Sequence, residues 1–340
     1  MLGRYEVHAK QQENFWQPAA RSAKILSQDG ANALLLPDGS ALWTYGDTFV
    51  GSKIPDGTDR IEGAVSSSVA RVFVTKNGPT AEYLAGADGR VAFLLPLEPP
   101  ESWDKHRVWP AGGVHAAGMT YLFFNRIRLG GGAGSFNFQD DGIGLAEAKG
   151  NSWTFTRVVQ PGSQPPLPVL PHGILARDDS YLYLYSIGKK GVGSATFLSR
   201  VSIARIHEPA AYEFWTGPGN RFSSSQTQSV PLVSDVWGQV SVAWNGHLDR
   251  FVMLHVGGQT KDPRSVYLRT AEHPWGPWSN PTRVLALGGK LGKDFAGLIY
   301  CPYLHPELFR ENGRILVFTY CIHGEGDGNP ALVEVELVPR

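Results

Sequence analysis

The chain has 340 residues, of which 40 are Gly and 24 are Pro. Because Gly and Pro destabilise helix interiors, this composition excludes a mainly helical protein and indicates many turns between short elements. The 31 Lys and Arg residues balance the 31 Asp and Glu residues, so there is no net positive charge to attract nucleic acid, and we expect no nucleic-acid partner.

Five stretches share one pattern, in which two apolar runs flank a group of turn residues, and each predicts a β-hairpin. In chain order they are residues 31–46, 112–125, 172–186, 239–255 and 297–320. A further apolar stretch follows each hairpin. Three of the repeats then carry a Trp in a fourth short strand, at Trp153, Trp215 and Trp278.

Repeated four-stranded units predict an all-β fold, a single five-bladed β-propeller over 1–340 with four-stranded antiparallel blades around a central channel. The expected blades cover residues 25–97, 107–160, 170–218, 236–285 and 295–338. The last repeat stops after three strands, so we expect a strand within residues 3–20 to complete it. The alternative is a pair of packed β-sandwiches.

Two acidic residues in the first repeat form the sharpest candidate site. Asp29 precedes the first predicted strand of the hairpin, and Asp47 follows the second. The start of an inner strand and the end of its antiparallel neighbour share one mouth of the channel, so both carboxyls are expected there, within the ~5–10 Å used in glycoside hydrolysis. The alternative role is capping of turns through backbone hydrogen bonds.

The same topological rule places seven other side chains at this mouth as candidate carbohydrate-binding residues. Aromatic rings stack on the C–H faces of sugars, and imidazole, amide and guanidinium groups bond their hydroxyls. For each of them the competing role is packing within or between blades. The seven are Trp109, Arg126, His172, Trp237, Gln239, His255 and His323.

Other motifs indicate no cofactor, and we expect none. The segment 323–329 (HGEGDGN) could offer oxygen ligands to a cation, but it departs from the EF-hand pattern, so a solvated turn is favoured and no metal site is predicted. Cys301 and Cys321 lie on the two strands of the last predicted hairpin. They can be free thiols in a cellular protein or a disulfide in an exported one.

The location of the protein stays open. Residues 1–10 lack the apolar run of a signal peptide, and no window approaches the ~18–20 apolar residues of a membrane span, so no membrane partner is expected. A polymeric substrate would favour a secreted or cell-envelope protein whose leader has been removed. The oligomeric state is not predictable from these patterns.

Three segments, 42–51 (LWTYGDTFVG), 270–281 (TAEHPWGPWSNP) and 298–320 (LIYCPYLHPELFRENGRILVFTY), resemble a family of five-bladed propellers long known as a domain of unknown function. Some members of that family are endo-D-arabinanases. The family is similar in architecture to the arabinanase, fructosidase and levansucrase glycosidases, and the resemblance extends from about residue 25 to the end of the chain.

The resemblance implies that Asp29 and Asp47 are the catalytic carboxylates, because they match the family's first aspartate and its Gly-Asp-Thr motif. One departure concerns the further acidic residue that related glycosidases offer from a later blade, where this chain has His172 and Gln239. We therefore expect a glycoside hydrolase acting on a carbohydrate with arabinan-like furanosidic linkages. The alternatives are a carbohydrate-binding propeller without turnover and, with less support, a protein-interaction propeller.

Overall fold

The computed structural model describes residues 2–54, 57–132, 134–176, 180–190, 193–218, 221–258, 262–324 and 328–340. These residues form mainly β-strands, with one short α-helix, α1 (Gln17–Ser22). No helix among them is long and apolar enough to cross a membrane. Short 3-10 helices lie at Leu2–Arg4, Gly134–Phe136, Ile203–Arg205, Pro209–Ala211, Gln226–Gln228, Lys293–Phe295, Pro306–Leu308 and Glu311–Gly313.

The chain divides into two compact units, and the one made of Asn14–Leu167 and Gly326–Pro330 holds the first two sheets. In the first sheet the strand order is β2-β3-β5-β6, and β4 pairs with the far half of β3; the second sheet has the order β7-β8-β9-β10. The strands are β2 (Ile25–Leu35), β3 (Ala41–Lys53), β4 (Asp59–Val65), β5 (Ser68–Thr75), β6 (Gly78–Tyr83), β7 (His106–Ala116), β8 (Met119–Leu129), β9 (Phe138–Lys149) and β10 (Thr156–Val159).

The other unit, Met1–Glu13 with Pro168–Glu325 and Ala331–Arg340, holds three sheets. Their orders are β11-β12-β13-β14-β15 with β16 on β13, then β17-β18-β19-β20, then β21-β22-β23-β1. The strands are β1 (Tyr5–Gln12), β11 (Gly173–Ala176), β12 (Tyr181–Lys190), β13 (Gly193–Ser202), β14 (Glu213–Gly217), β15 (Arg221–Ser223), β16 (Val233–Ser234), β17 (Val236–Asn245), β18 (Arg250–Gly257), β19 (Ser265–Ala271), β20 (Thr282–Ala286), β21 (Ile299–Leu304), β22 (Ile315–Ile322) and β23 (Ala331–Pro339).

The predicted fold class, an all-β five-bladed β-propeller, is confirmed, and two of the five antiparallel sheets carry strands beyond the expected four. In the last sheet the outer strand is β1, which pairs antiparallel with β23. Cys301 and Cys321 are both buried in this sheet, and no disulfide joins them. Cys321 is in register with Tyr300 rather than with Cys301, because the ladder shifts between Tyr300 and Tyr303.

The first hairpin shows how the sequence builds these sheets. At its tip, Gly39 has φ 81 and donates its N–H to the Leu36 carbonyl, while the Asp38 carboxylate accepts the N–H of Ser40. The turn therefore needs Gly and Asp where the sequence has them. The apolar side chains that alternate along β2 and β3 enter a core shared by the first two sheets, which includes Leu34, Leu42, Val69, Leu122 and Phe124.

Candidate functional site

Asp29 and Asp47 face each other at a bulge between β2 and β3. Gln28 is in register with Thr48 and Gly30 with Tyr45, so the single residue Asp29 lies opposite the pair Gly46 and Asp47. On its other edge, β3 pairs with β5 up to Tyr45 and with β4 from Thr48 onward. The Gly46–Asp47 step is thus outside both ladders, which is where a bulge redirects a side chain.

This position corrects the expectation that the two aspartates flank strand ends. Both lie inside their strands, because β2 begins at Ile25 and β3 continues to Lys53. The strand β4, which was not predicted, pairs with the far part of β3 and prolongs the sheet beyond the two carboxyls. The side chains are directed by a bulge in the middle of the sheet rather than by its edge.

Gly46 brings the Asp29 carboxylate close to the second strand. A Cβ atom at position 46 would lie 2.5 Å from Oδ1 of Asp29 and 3.7 Å from Cδ1 of Trp109. The Asp29 carboxylate and the Trp109 indole therefore both border the one residue that precedes Asp47. The Gly of the Gly-Asp-Thr motif leaves room for the Asp29 carboxylate, which a side chain at position 46 would displace.

Asp47 is held by two residues of β7. The indole Nε1 of Trp109 donates a hydrogen bond of 2.9 Å to Oδ1 of Asp47, and Nε of Arg107 lies 4.0 Å from the same oxygen. The side chain of Asp47 is 31% exposed. Burial raises the pKa of this carboxyl, and the indole hydrogen bond and the Arg107 charge oppose that rise.

The Thr of the motif, Thr48, stabilises the bulge through its hydroxyl group. Thr48 is fully buried, and its hydroxyl donates to the Gly46 carbonyl at 3.1 Å and lies 2.8 Å from the Ser68 hydroxyl on β5. The three residues of the motif therefore differ in what they contribute. Gly46 leaves space, Asp47 supplies a carboxylate, and Thr48 bonds the backbone that carries it.

Trp109 contacts Asp47 and borders Gly46, whereas Arg126 is engaged elsewhere in the second sheet. Nε of Arg126 donates to Oδ2 of Asp141 at 2.9 Å, and Nη1 lies 3.7 Å from Oε1 of Glu101. Glu101 in turn accepts two hydrogen bonds of 2.9 Å from Nη1 of Arg157. Arg126 thus belongs to a chain of ion pairs within the same compact unit.

The other five predicted binding residues lie in the second compact unit, so their predicted convergence with the aspartates stays a prediction. His172 precedes β11, and its N–H donates to the Tyr185 carbonyl. Trp237 on β17 packs against Phe295, with ring centroids 6.2 Å apart. Oε1 of Gln239 accepts the Cys301 N–H at 3.0 Å. His323 follows β22 and exchanges backbone hydrogen bonds with Gly297 and Leu298.

His255 does not fit the role of a surface ligand group. It is 0% exposed, its ring stacks on Tyr267, and its Nδ1–H donates to the Val256 carbonyl at 2.9 Å. Its Nε2 accepts a hydrogen bond of 3.0 Å from Arg269. The strand β18 extends to Gly257, so His255 lies within the sheet and both ring nitrogens are used.

Sequence reasoning missed Arg107 and two exposed aromatic rings. Arg107 precedes Trp109 by two residues, and strand alternation places both side chains on one face of β7. That spacing was the signal available in the sequence. Trp103, 39% exposed, lies under the Arg107 guanidinium, and the exposed Phe136 is near Phe138, whose ring meets Trp109 edge-on.

Among the described residues, no group of three or more His, Cys, Asp and Glu side chains is arranged to hold a metal ion. In the segment 323–329, Glu325, Gly326 and Asp327 lie outside the described residues, so its ligand set stays a sequence-based idea.

Residues 21–325 match the family described as Domain of unknown function (DUF4185). The chain belongs to this family. The match confirms the resemblance carried by residues 42–51, 270–281 and 298–320, and it leaves endo-D-arabinanase activity untested. A search of curated proteins found no match to this DUF4185 chain.

Solved structures share the fold of this DUF4185 chain at low sequence identity. A candidate hydrolase from Bacteroides ovatus superposes with a TM-score of 0.69 at 16% identity, covering 97% of this chain and 90% of the other. A GH43_1 enzyme from Xanthomonas citri superposes with a TM-score of 0.51 at 16% identity, covering 94% of this chain and 93% of the other. The same enzyme in complex with xylotriose superposes with a TM-score of 0.51 at 15% identity, covering 94% of this chain and 92% of the other.

Proposed function

We propose that this protein is a glycoside hydrolase that cleaves furanosidic, arabinan-like linkages in a polysaccharide or oligosaccharide. The observation that carries the proposal is the bulge at which Asp29 lies opposite Gly46 and Asp47, with the Asp29 carboxylate against Gly46 and the Asp47 carboxylate bonded to Trp109. Glycoside hydrolysis uses a pair of carboxyl groups, and the reaction needs no cofactor. The propeller fold shared with the GH43_1 enzyme, which was solved with xylotriose, supports this choice.

Hydrolysis needs one protonated and one ionised carboxyl. The protonated carboxyl gives its proton to the glycosidic oxygen as the C–O bond breaks and the bonding electrons leave with that oxygen. The ionised carboxylate either takes a proton from the water that attacks the anomeric carbon or bonds to that carbon itself. Different surroundings of two carboxyls set their pKa values apart, and we propose that Asp29 and Asp47 divide the two roles in this way.

Aromatic rings beside the pair are suited to hold sugar residues. Trp103 and Phe136 are exposed rings; Trp103 contacts Arg107, and Phe136 connects to Trp109 through Phe138. Sugar rings stack their C–H faces on such surfaces. We propose Trp109 as a binding residue as well as a partner of Asp47, and keep His172, Trp237, Gln239 and His323 as proposed contributors from the other unit.

A second candidate function is carbohydrate binding without turnover. It is favoured by the hydrogen bonds and ion pairs that already occupy the acidic side chains around the second sheet. Asp140 accepts a hydrogen bond of 2.7 Å from Asn125, while Asp141 and Glu101 pair with arginines, as described above. Related glycosidases use a third acid, and these three acidic side chains are committed to structural contacts.

Product formation separates the two functions. The protein would be incubated with arabinan, xylan and levan, and new reducing ends and released oligosaccharides would be measured alongside binding by calorimetry. Hydrolysis predicts products from arabinan that the Asp47→Asn variant does not form. Binding to arabinan with no product after long incubation would contradict hydrolysis and support the second candidate.

A further inference from the structure

Arg107 is fixed beside Asp47 by three independent contacts. Its guanidinium carbon lies 3.6 Å from the centroid of the Trp103 ring, a cation–π distance. Its Nη1 donates to the His106 carbonyl at 2.8 Å and also to the Trp103 carbonyl. The side chain is 15% exposed. A long cationic side chain that is stacked and doubly bonded has little freedom to leave the carboxylate.

Arg107 and Trp109 both approach the same carboxylate oxygen of Asp47. The Arg107 charge and the Trp109 N–H both face Oδ1, and Oδ2 forms no hydrogen bond or ion pair with the residues that the structure describes. A hydrogen-bond donor and a cation at one oxygen stabilise the ionised form of a carboxyl. The arrangement leaves the second oxygen to act on a substrate.

Arg107 and Asp29 are the charged side chains around the Gly46–Asp47 step. Arg107 approaches Asp47 from β7, and from β2 the Asp29 carboxylate packs against Gly46, the residue before Asp47. From β5, Ser68 reaches the neighbouring Thr48 and is neutral. When two carboxyls act on one substrate, a cation beside one of them favours its ionised form and leaves the proton to the other.

We propose that Arg107 is a positioning residue that keeps Asp47 ionised, which makes Asp47 the carboxylate of the pair and leaves proton donation to Asp29. The assignment rests on the proposed hydrolytic function, although the coupling of Arg107 to Asp47 can be measured without any substrate. Burial raises the pKa of Asp47, and the Trp109 hydrogen bond and the Arg107 charge act against that rise, so we expect their removal to raise it further.

The test compares Arg107→Gln and Arg107→Lys with the wild type, with Arg128→Gln as a control. Arg128 is an exposed arginine of the neighbouring strand whose side chain donates to Gln139. The first readout is the pH dependence of kcat/KM on arabinan. We expect the acid limb to move upward by about 1 pH unit or more in Arg107→Gln, by less in Arg107→Lys, and not at all in the control.

The second readout is the titration of the Asp47 carboxyl followed by carbon NMR, with Asp47→Asn used to assign the signal. An upward shift of this titration in Arg107→Gln supports the coupling even if no polysaccharide is cleaved. That result would separate failure of the proposed function from failure of this inference.

Two results would overturn the inference. An Asp47 titration that is unchanged in a folded Arg107→Gln or Arg107→Lys protein would show that Arg107 does not control its ionisation. Movement of the alkaline limb instead of the acid limb would make Asp47 the proton donor and reverse the assignment.

Discussion

The indole of Trp109 donates its N–H to the carboxylate of Asp47 at 2.9 Å, and this bond joins the second sheet to the bulge of the first. Trp109 also borders Gly46, against which the Asp29 carboxylate packs. One aromatic side chain therefore bonds one acid and borders the glycine against which the other acid packs. The geometry of the pair depends on contacts between sheets as well as on the Gly-Asp-Thr motif.

Trp109→Phe is expected to impair catalysis with little loss of fold. The Phe ring keeps the edge-on contact with Phe138 but removes the N–H that Asp47 accepts. A hydrogen bond to a charged group contributes about 1.5–3 kcal/mol, so kcat/KM should fall about 10- to 100-fold, with the acid limb of the pH profile moved upward. Trp153→Phe, in the core of the same unit, is the control, and equal activity loss in both variants would contradict a specific role.

Gly46→Ala is expected to displace the Asp29 carboxylate. The new Cβ would lie 2.5 Å from Oδ1 of Asp29, which is closer than van der Waals contact permits. Because a short side chain can rotate away, the melting temperature should change little while kcat drops. Gly3→Ala is the matched control, since no atom lies within 4 Å of a Cβ at that position. Full activity of Gly46→Ala would show that the Asp29 position is not critical.

The strands of the first hairpin could be predicted from the sequence, because alternation and turn residues are local properties. The same pattern assigned Asp29 and Asp47 to neighbouring strands. It could not predict the bulge, since a one-residue shift of register depends on which strand pairs with the far half of β3. The same limitation explains why His255 was predicted to be a binding residue although it is buried within its sheet. It lies two residues before the end of β18, and only the pairing with β19 reveals that Tyr267 stacks on its ring and that Arg269 bonds its Nε2.

Glu101→Gln is expected to destabilise the fold. The side chains of Glu101 and Arg157 are 3% and 2% exposed and form two hydrogen bonds of 2.9 Å. Loss of the Glu101 charge leaves the buried Arg157 cation with the more exposed Glu98, 3.6 Å away, as its remaining ion-pair partner among the described residues. Breaking a buried ion pair costs about 3–5 kcal/mol. Urea denaturation should show this loss, whereas Glu208→Gln, which affects an exposed pair with Arg205, should leave the midpoint nearly unchanged. Equal midpoints for the two variants would contradict the burial argument.

Tyr83 is expected to make stability decrease at high pH. Burial raises the pKa of its phenol to about 12, against hydrogen bonds with Tyr45 and Gln28 that lower it. The folded pKa lies above the unfolded value of about 10, so the neutral phenol stabilises the fold below pH ~10 and this contribution is lost toward pH ~12. The midpoint of urea unfolding should fall more steeply with pH in the wild type than in Tyr83→Phe. Parallel slopes would contradict the assignment.

The most direct measurement is the rate of arabinan cleavage by Asp29→Asn and Asp47→Asn, each prepared separately. Each change keeps the shape of the side chain and removes its acid–base function, so kcat should fall at least ~100-fold while arabinan binding and the melting temperature are retained. Asp88→Asn, an exposed aspartate of the same unit, should cleave arabinan at the wild-type rate. Wild-type activity in either of the first two variants would contradict a catalytic pair at the bulge.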